Sequence, residues 1–246
     1  MSYTVFSFGI KGNYAAFMDP RTTSSGVTYY SPTHSAILGM LGAIWGVKRP
    51  TQEEIREGKI YGSEFVWFRD NVKVGIRVNS PMKKHVYYTN HVSFKKNRTM
   101  PTKTEVLLSP DYTVYVAASE NPGKKLMSNI KKRLFAYPIY FGRAYCKATV
   151  YGNVTSMQHK PVSGKRFRTG CVIPHTVDTM HDIDPENGQA ITERQVHHHV
   201  ENGELVSSIV PRTIPVEGTI VDVVLRCRPI GDVLELDGKE DCVVVF

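Results

Sequence analysis

Hydrophobic and polar positions divide this chain into short alternating runs and two helical stretches. Residues 2–9 alternate large and small side chains, which predicts a first strand. A loop rich in Gly, Ser, Thr, Asp and Pro follows, and it carries Lys11, Arg21 and the aromatics Tyr14, Phe17, Tyr29 and Tyr30. A helix is predicted next, with Ser31 as N-cap and Pro32 as its first residue. Its body, 35–46, is apolar on nearly every side and must therefore be buried. Glycine inside a helix costs about 1 kcal/mol against alanine. Gly39 and Gly42 therefore predict another backbone packed close, while Gly46 ends the helix. Thr51 and Glu54 form a capping-box pattern, closed by Gly58.

Residues 64–69 and 72–78 read as a hairpin around Asp70-Asn71. Val72, Val74, Ile76 and Val78 face one way, Lys73 and Arg77 the other. Residues 80–103 read as a long projecting hairpin, and 105–108 pair with 112–118 across Ser109-Pro110-Asp111. Residues 121–135 form a basic amphipathic helix: Leu126, Ile130 and Leu134 point inward, and Lys124, Lys125, Lys131, Lys132 and Arg133 outward. A strand returns at 144–152. Strand, helix, strands, helix, strand is the rhythm of a ferredoxin-like βαββαβ sheet, so the fold class is α+β. Residues 153–190 are rich in turn formers. Beyond them, 191–200 and 204–210 make a hairpin at Asn202-Gly203, with further strands at 220–227, 233–236 and 242–246.

Charge changes this picture. The net charge is +8 over 246 residues. Residues 1–170 hold 26 Lys and Arg against 9 Asp and Glu, and 171–246 hold 5 against 14. A positive two-thirds beside a negative remainder points to a polyanionic partner, held by a salt-dependent surface. No run reaches the ~18 apolar residues that span a membrane. The polar start of the chain does not read as a signal peptide, so a cytoplasmic location is expected. Cys146, Cys171, Cys227 and Cys242 contain no CxxC pair, so neither a zinc site nor a disulfide framework is expected.

From Asn71 through Thr104 there is no acidic residue, yet Lys83, Lys84, His85, Lys95, Lys96, Arg98 and Lys103 alternate with Tyr87, Tyr88, His91 and Phe94. Lysines neutralise phosphates, and aromatic faces stack unpaired bases. Gly164-Lys165-Arg166-Phe167-Arg168 repeats the pattern in miniature. His197-His198-His199 invites a metal reading, but on a strand only His197 and His199 share a face and no further ligand completes the set. Lys84-His85 offers a base and a cation for RNA cleavage, although backbone binding explains both residues equally well. There is no Walker loop, dinucleotide fingerprint or nucleophile motif, and no cofactor is expected.

Phe6–Gly12, 15–20 and above all Tyr29-Tyr30-Ser31-Pro32-Thr33 running into 36–46 carry a resemblance to a known family. Residues 107–116 and 137–146, with Gly142-Arg143, add to it. The chain resembles the RAMP-superfamily Cas protein, the fifth Cas family, that caps the guide RNA in type I CRISPR Cascade. The likeness is closest to type I-B and covers about residues 1–150. It implies a ferredoxin-like (RRM-like) domain over 1–152 with a β-hairpin thumb at about 80–104, and a smaller β-rich part over 153–246. It implies a non-catalytic, antiviral-defence subunit bound to the crRNA 5′ handle, to the Cascade backbone subunit and to the large subunit, with target DNA reached through the complex. The expected RNA contacts are Lys11, Arg21, Tyr29, Lys83, Lys84, His85, Tyr87, Lys95, Lys96, Arg98, Arg143, Lys165, Arg166 and Arg168. In the type I-C branch the family member is itself an endoribonuclease using a tyrosine, a lysine and a histidine. Tyr30, Lys84 and His85 are the corresponding alternative here. A stand-alone RNA-binding module is a second alternative.

Overall fold

The computed structural model describes residues 3–22, 25–58, 62–93, 98–164, 166–175, 181–183, 189–201, 204–225, 231–239 and 241–246. The chain opens with β1 (Tyr3–Gly12) and the two-residue strands β2 (Tyr14–Ala15) and β3 (Ser25–Gly26). Helices α1 (His34–Trp45), α2 (Gln52–Arg56) and α3 (Ser63–Asn71) lead into β4 (Val72–Val78). Strands β5 (Lys84–Ser93), β6 (Arg98–Leu108) and β7 (Asp111–Ser119), helix α4 (Glu120–Lys132) and β8 (Ala148–Met157) follow. The remainder is strand: β9 (His159–Pro161), β10 (Arg166–Thr169), β11 (Ile173–Pro174), β12 (His181–Ile183), β13 (Ala190–Glu201), β14 (Glu204–Pro215), β15 (Val221–Leu225), β16 (Asp232–Leu236) and β17 (Val243–Val245). The protein is α+β and sheet-rich.

The central sheet has the order β4-β7-β1-β8, and every pair in it is antiparallel. Strand alternation sends Phe6, Phe8 and Ile10 of β1, with Val114 and Val116 of β7, to one face. There they meet Ile37, Leu38, Leu41 and Ile44 of α1 and Leu126 and Ile130 of α4. Each fully buried aliphatic side chain of this kind contributes about 1.5–3 kcal/mol. The opposite face carries Val5, Tyr115 and Ala117, and Leu234, Leu236, Val243 and Val245 of β16 and β17 cover it. β17 crosses so close that a Cβ on Gly75 would sit 2.5 Å from the Val244 carbonyl oxygen, so only glycine fits there. Lys73 pairs with Asp232 at 2.6 Å and Arg77 with Asp241 at 3.4 Å across the same seam. Part of the charge asymmetry thus joins the two regions of the chain to each other.

Several sequence expectations are corrected. The N-cap of α1 is Thr33, whose hydroxyl accepts the Ala36 N–H; Ser31 is buried, bonded instead to the Gln195 amide. Gly39 is exposed and a Cβ there would meet nothing within 4 Å, so no backbone packs against it. Residues 63–71 are helix α3 and not a hairpin arm; Trp67 and Phe68 lie 5.9 and 5.8 Å from the Trp45 ring of α1. β6 and β7 do not pair with each other: β6 pairs with β5, and β7 with β4 and β1. α4 ends at Arg133, with φ 56°, so Leu134 turns outward and is 61% exposed. The strand expected at 144–152 runs Ala148–Met157. The capping box at Thr51 and Glu54 and the left-handed cap at Gly46 are present as expected. β13 and β14 pair from Ala190↔Pro215 to Glu201↔Glu204; their turn, Asn202-Gly203, lies outside the described residues.

Candidate nucleic-acid interface

The acid-free stretch builds most of the β5–β6 hairpin, in register from Lys84↔Leu107 to Ser93↔Arg98, with Glu105 opposite Val86 near its base. Directly opposed residues share a face. His85 with Val106, Tyr87 with Thr104 and Thr89 with Thr102 therefore line one side. That side walls a cleft of about 920 Å³. Tyr14 of β2 and Ser25-Gly26 of β3, short strands that pair with β6, extend this lining together with Met18, and Arg143 and Tyr145 stand at the rim.

The rim is held by a tight loop. Tyr140 bridges to Lys147, and the Phe141 N–H donates to the Cys146 carbonyl at 2.8 Å. Phe141 and Cys146 are buried anchors. Gly142 takes φ +78°, and a Cβ there would lie 2.0 Å from the Ala16 carbonyl oxygen. The loop therefore docks against the segment after β2, where the Ala16 N–H donates to the Phe141 carbonyl at 3.1 Å. This presents Tyr145, 59% exposed, across the cleft from β5, and the hydroxyls of Tyr145 and Tyr87 meet at 2.9 Å. Burial, then the bond to Tyr87, pushes the Tyr145 phenol well above its usual range, so it stays a neutral hydrogen-bonding group. Exposed aromatic faces, hydroxyls and one guanidinium make a lining suited to an unpaired base with its phosphate outside.

Lys84 and His85 are neighbours on a strand and point to opposite sides. His85 is exposed in the cleft. On the other side the Lys84 ammonium sits 4.1 Å from the Tyr30 ring centroid and 3.4 Å from Glu105. Glu193 supports this arrangement from β13, accepting the Tyr30 N–H at 2.7 Å and the Gln195 amide at 2.8 Å. Burial raises the Glu193 carboxyl above its usual range, and the Tyr30 N–H, the Gln195 amide and the Lys84 charge oppose that rise.

The remaining expected contacts divide. Lys83 is exposed at the foot of β5, and Lys11 is exposed at the end of β1, 5.1 Å from the Tyr151 ring centroid. Arg98 opposes Ser93 in the hairpin backbone. Lys95, Lys96 and Lys165 lie outside the described residues. Tyr29 is corrected: it is 4% exposed, its hydroxyl accepts the Val196 N–H at 3.2 Å, and it offers no face to a base. Arg21 is held by Asp19 at 2.6 Å and donates to the Arg194 carbonyl, so it braces the loop. Arg166 and Arg168 sit on β10, in a different sheet; neither lines the cleft, and Arg168 pairs with Asp222 at 3.2 Å. Tyr145 was not among the expected contacts, although it follows Gly142-Arg143 by two positions.

Among the described residues no three His, Cys, Asp or Glu side chains gather as a metal site. His197 instead lies 5.2 Å from the His34 ring, and His34 Nε2 is 3.0 Å from the Phe246 carbonyl oxygen. No helix among the described residues is long and apolar enough to cross a membrane.

Comparison with known proteins yields one family match: the family described as CRISPR-associated protein (Cas_Cas5) matches residues 6–198. No curated protein matches in sequence. Among solved structures, a chain of a "CRISPR RNA-guided surveillance complex" aligns over 92% of each chain at 14% identity, TM-score 0.47. A "Cas protein" crystal structure aligns over 87% of this chain and 97% of its own, at 13% identity and TM-score 0.47. A chain of a type III-B Cmr-beta complex bound to cognate target RNA and AMPPnP aligns over 88% and 86%, at 10% identity and TM-score 0.46.

Proposed function

We propose, from the premise that this chain belongs to the Cas5 family of CRISPR-associated proteins, that it is an RNA-binding structural subunit of a type I Cascade and grips the crRNA 5′ handle in the cleft beside the β5–β6 hairpin. The observation that carries the proposal is the cleft itself: the basic and aromatic β5–β6 hairpin, whose cleft-facing side carries no carboxylate among the described residues, forms one wall, and Arg143 and Tyr145 close the rim. On this reading residues 1–152 are a ferredoxin-like domain, a reading supported by the sheet order β4-β7-β1-β8 with α1 and α4 on one face. The β5–β6 hairpin is its thumb, and 153–246 are a smaller β-rich part. Strands β16 and β17 cover the face that an RRM-like sheet leaves open, which favours the cleft as the RNA site. The backbone and large subunits are the proposed protein partners, with target DNA reached through them.

The test is fluorescence anisotropy with a repeat-derived RNA at low salt. Stacking is worth about 1–3 kcal/mol per base, so Tyr87→Ala and Tyr145→Ala should each weaken binding roughly 5- to 150-fold. Lys83→Ala and Arg143→Ala should flatten the salt dependence. Unchanged affinity in all four variants sinks the reading. Co-purification with a guide RNA and two partner subunits tests the assembly.

One observation favours a second reading, a metal-independent endoribonuclease. Lys84 rests on Tyr30, so two of the three alternative catalytic residues are already together. In such a reaction a base takes the 2′-hydroxyl proton as its oxygen attacks phosphorus to form a 2′,3′-cyclic phosphate, the P–O5′ bond breaks, a general acid protonates the departing 5′-oxygen, and a cation holds the phosphate. His85 faces the cleft, on the far side of the strand from Lys84. Incubation with repeat RNA in EDTA separates the readings: a single cut lost in both Lys84→Ala and His85→Ala establishes the enzyme.

A further inference from the structure

Residues 121–177 contain no aspartate or glutamate and eleven Lys and Arg, a longer acid-free run than the hairpin's. Its middle, 131–147, is a shaped surface. Asn129 at the end of α4 donates to the Ile44 carbonyl at 3.0 Å, and the Tyr137 N–H donates to the Ala43 carbonyl at 3.1 Å. Both grip adjacent carbonyls of α1, which sets Tyr137 beside the last turn of α4. From there Ile139, Phe141 and Cys146 are buried, while Tyr137 (47% exposed), Tyr140 (46%) and Lys147 face outward. The path ends at Arg143 and Tyr145 on the cleft rim.

Several cations elsewhere are neutralised. Lys73, Arg77 and Arg168 each meet a carboxylate. Lys131, Lys132 and Lys147 are exposed and have no ion pair among the described residues. Arg133 donates to the neutral Gly152 carbonyl at 3.0 Å and keeps its charge uncompensated. Like charges concentrated in this way repel one another until a polyanion arrives. An acidic protein surface would also satisfy the lysines, but the surface runs on from Arg143 and Tyr145 at the cleft rim, which favours a strand already held there. Cations interleaved with aromatic faces suit single-stranded nucleic acid.

We propose that this surface is a second nucleic-acid track: single-stranded RNA leaving the cleft past Arg143 and Tyr145 continues over Tyr140, Lys147 and Tyr137 to Lys131 and Lys132. The inference rests on the cleft being an RNA site.

Two labelled oligouridylates, a hexamer and an 18-mer, test it with the full chain by anisotropy. The wild type should bind the 18-mer more tightly than the hexamer. The variant Lys131→Ala/Lys132→Ala/Tyr137→Ala should weaken the 18-mer at least tenfold and leave the hexamer unchanged. Losing two phosphate contacts lowers the salt slope by about 1.4, at roughly 0.7 per contact for a single strand. All three positions are exposed, and a urea melt matching wild type certifies the fold. Wild-type affinity of the variant for the 18-mer overturns the track, as does equal loss on both oligomers. A different signature marks failure of the cleft reading: no hexamer binding by the wild type, with Tyr87→Ala and Arg143→Ala inert on the 18-mer. That outcome removes the continuity claimed here even if Lys131 and Lys132 still bind the 18-mer.

Discussion

Replacing Gly142 by alanine tests how the fold holds the cleft rim. Two costs add. At φ +78° an L-residue is strained, by about 1 kcal/mol relative to glycine. The new Cβ would also lie 2.0 Å from the Ala16 carbonyl oxygen, a backbone atom that cannot swing aside. Real Cβ contacts do not close below 3.0 Å, so the loop must withdraw by about 1 Å or more. Overpacking of this kind costs roughly 1–3 kcal/mol. The total is about 2–4 kcal/mol, and part of it can be relieved by lifting the loop, which carries Arg143 and Tyr145 away from Tyr87. Gly152→Ala is the control: φ is +70°, but its Cβ would meet nothing within 4 Å. It should cost only the ~1 kcal/mol of strain. Urea unfolding should therefore separate the variants by about 1–3 kcal/mol, and anisotropy should show weaker RNA binding for Gly142→Ala alone. Equal stability losses and equal RNA affinities in the two variants would refute the argument that the collision with Ala16 sets the rim.

Three further predictions follow the same logic. Gly39→Ala should stabilise the protein by up to ~1 kcal/mol in urea melts, because the site is an open position inside a helix; a loss of stability would mean that something packs there after all. Leu126→Ala should cost about 2–5 kcal/mol, whereas Leu134→Ala should stay within ~0.5 kcal/mol; equal effects would mean that α4 continues through Leu134. Burial, helped by the Arg212 charge, pulls the His34 imidazole from 6.5 to about 3. The unfolded chain then binds more protons than the folded one between those values, so stability falls as pH drops below 6.5, by about 1.4 kcal/mol per unit. Urea melts from pH 7 to 4 should show a shallower fall for His34→Gln, and identical slopes would refute the assignment.

The apolar girth of α1, the alternation of β4, the capping box at Thr51 and the β13–β14 pairing were all legible in the sequence, because each depends on residues within a few turns of one another. So was the acid-free stretch that becomes most of the β5–β6 hairpin. The nine residues of α3 were not. A short apolar run suits strand and helix alike, and what decides is the seat of Trp67 and Phe68 on Trp45, supplied by a different helix. Strand pairing failed in the same way. Local spacing favoured 105–108 against 112–118, but Ser109 at φ 46° sends the chain out of one sheet into another, where the partners of β7 come from residues 72–78 and 3–11. Tyr29 and Arg21 looked like ligand contacts by composition, and only packing showed that one is core and the other a brace. The cleft itself exists in no local segment: Tyr87 and Tyr145 are 58 positions apart. Side-chain chemistry was readable along the chain, but which chemistries share a cavity was decided by long-range sheet pairing and by the one backbone position, Gly142, that lets the rim loop close on Ala16.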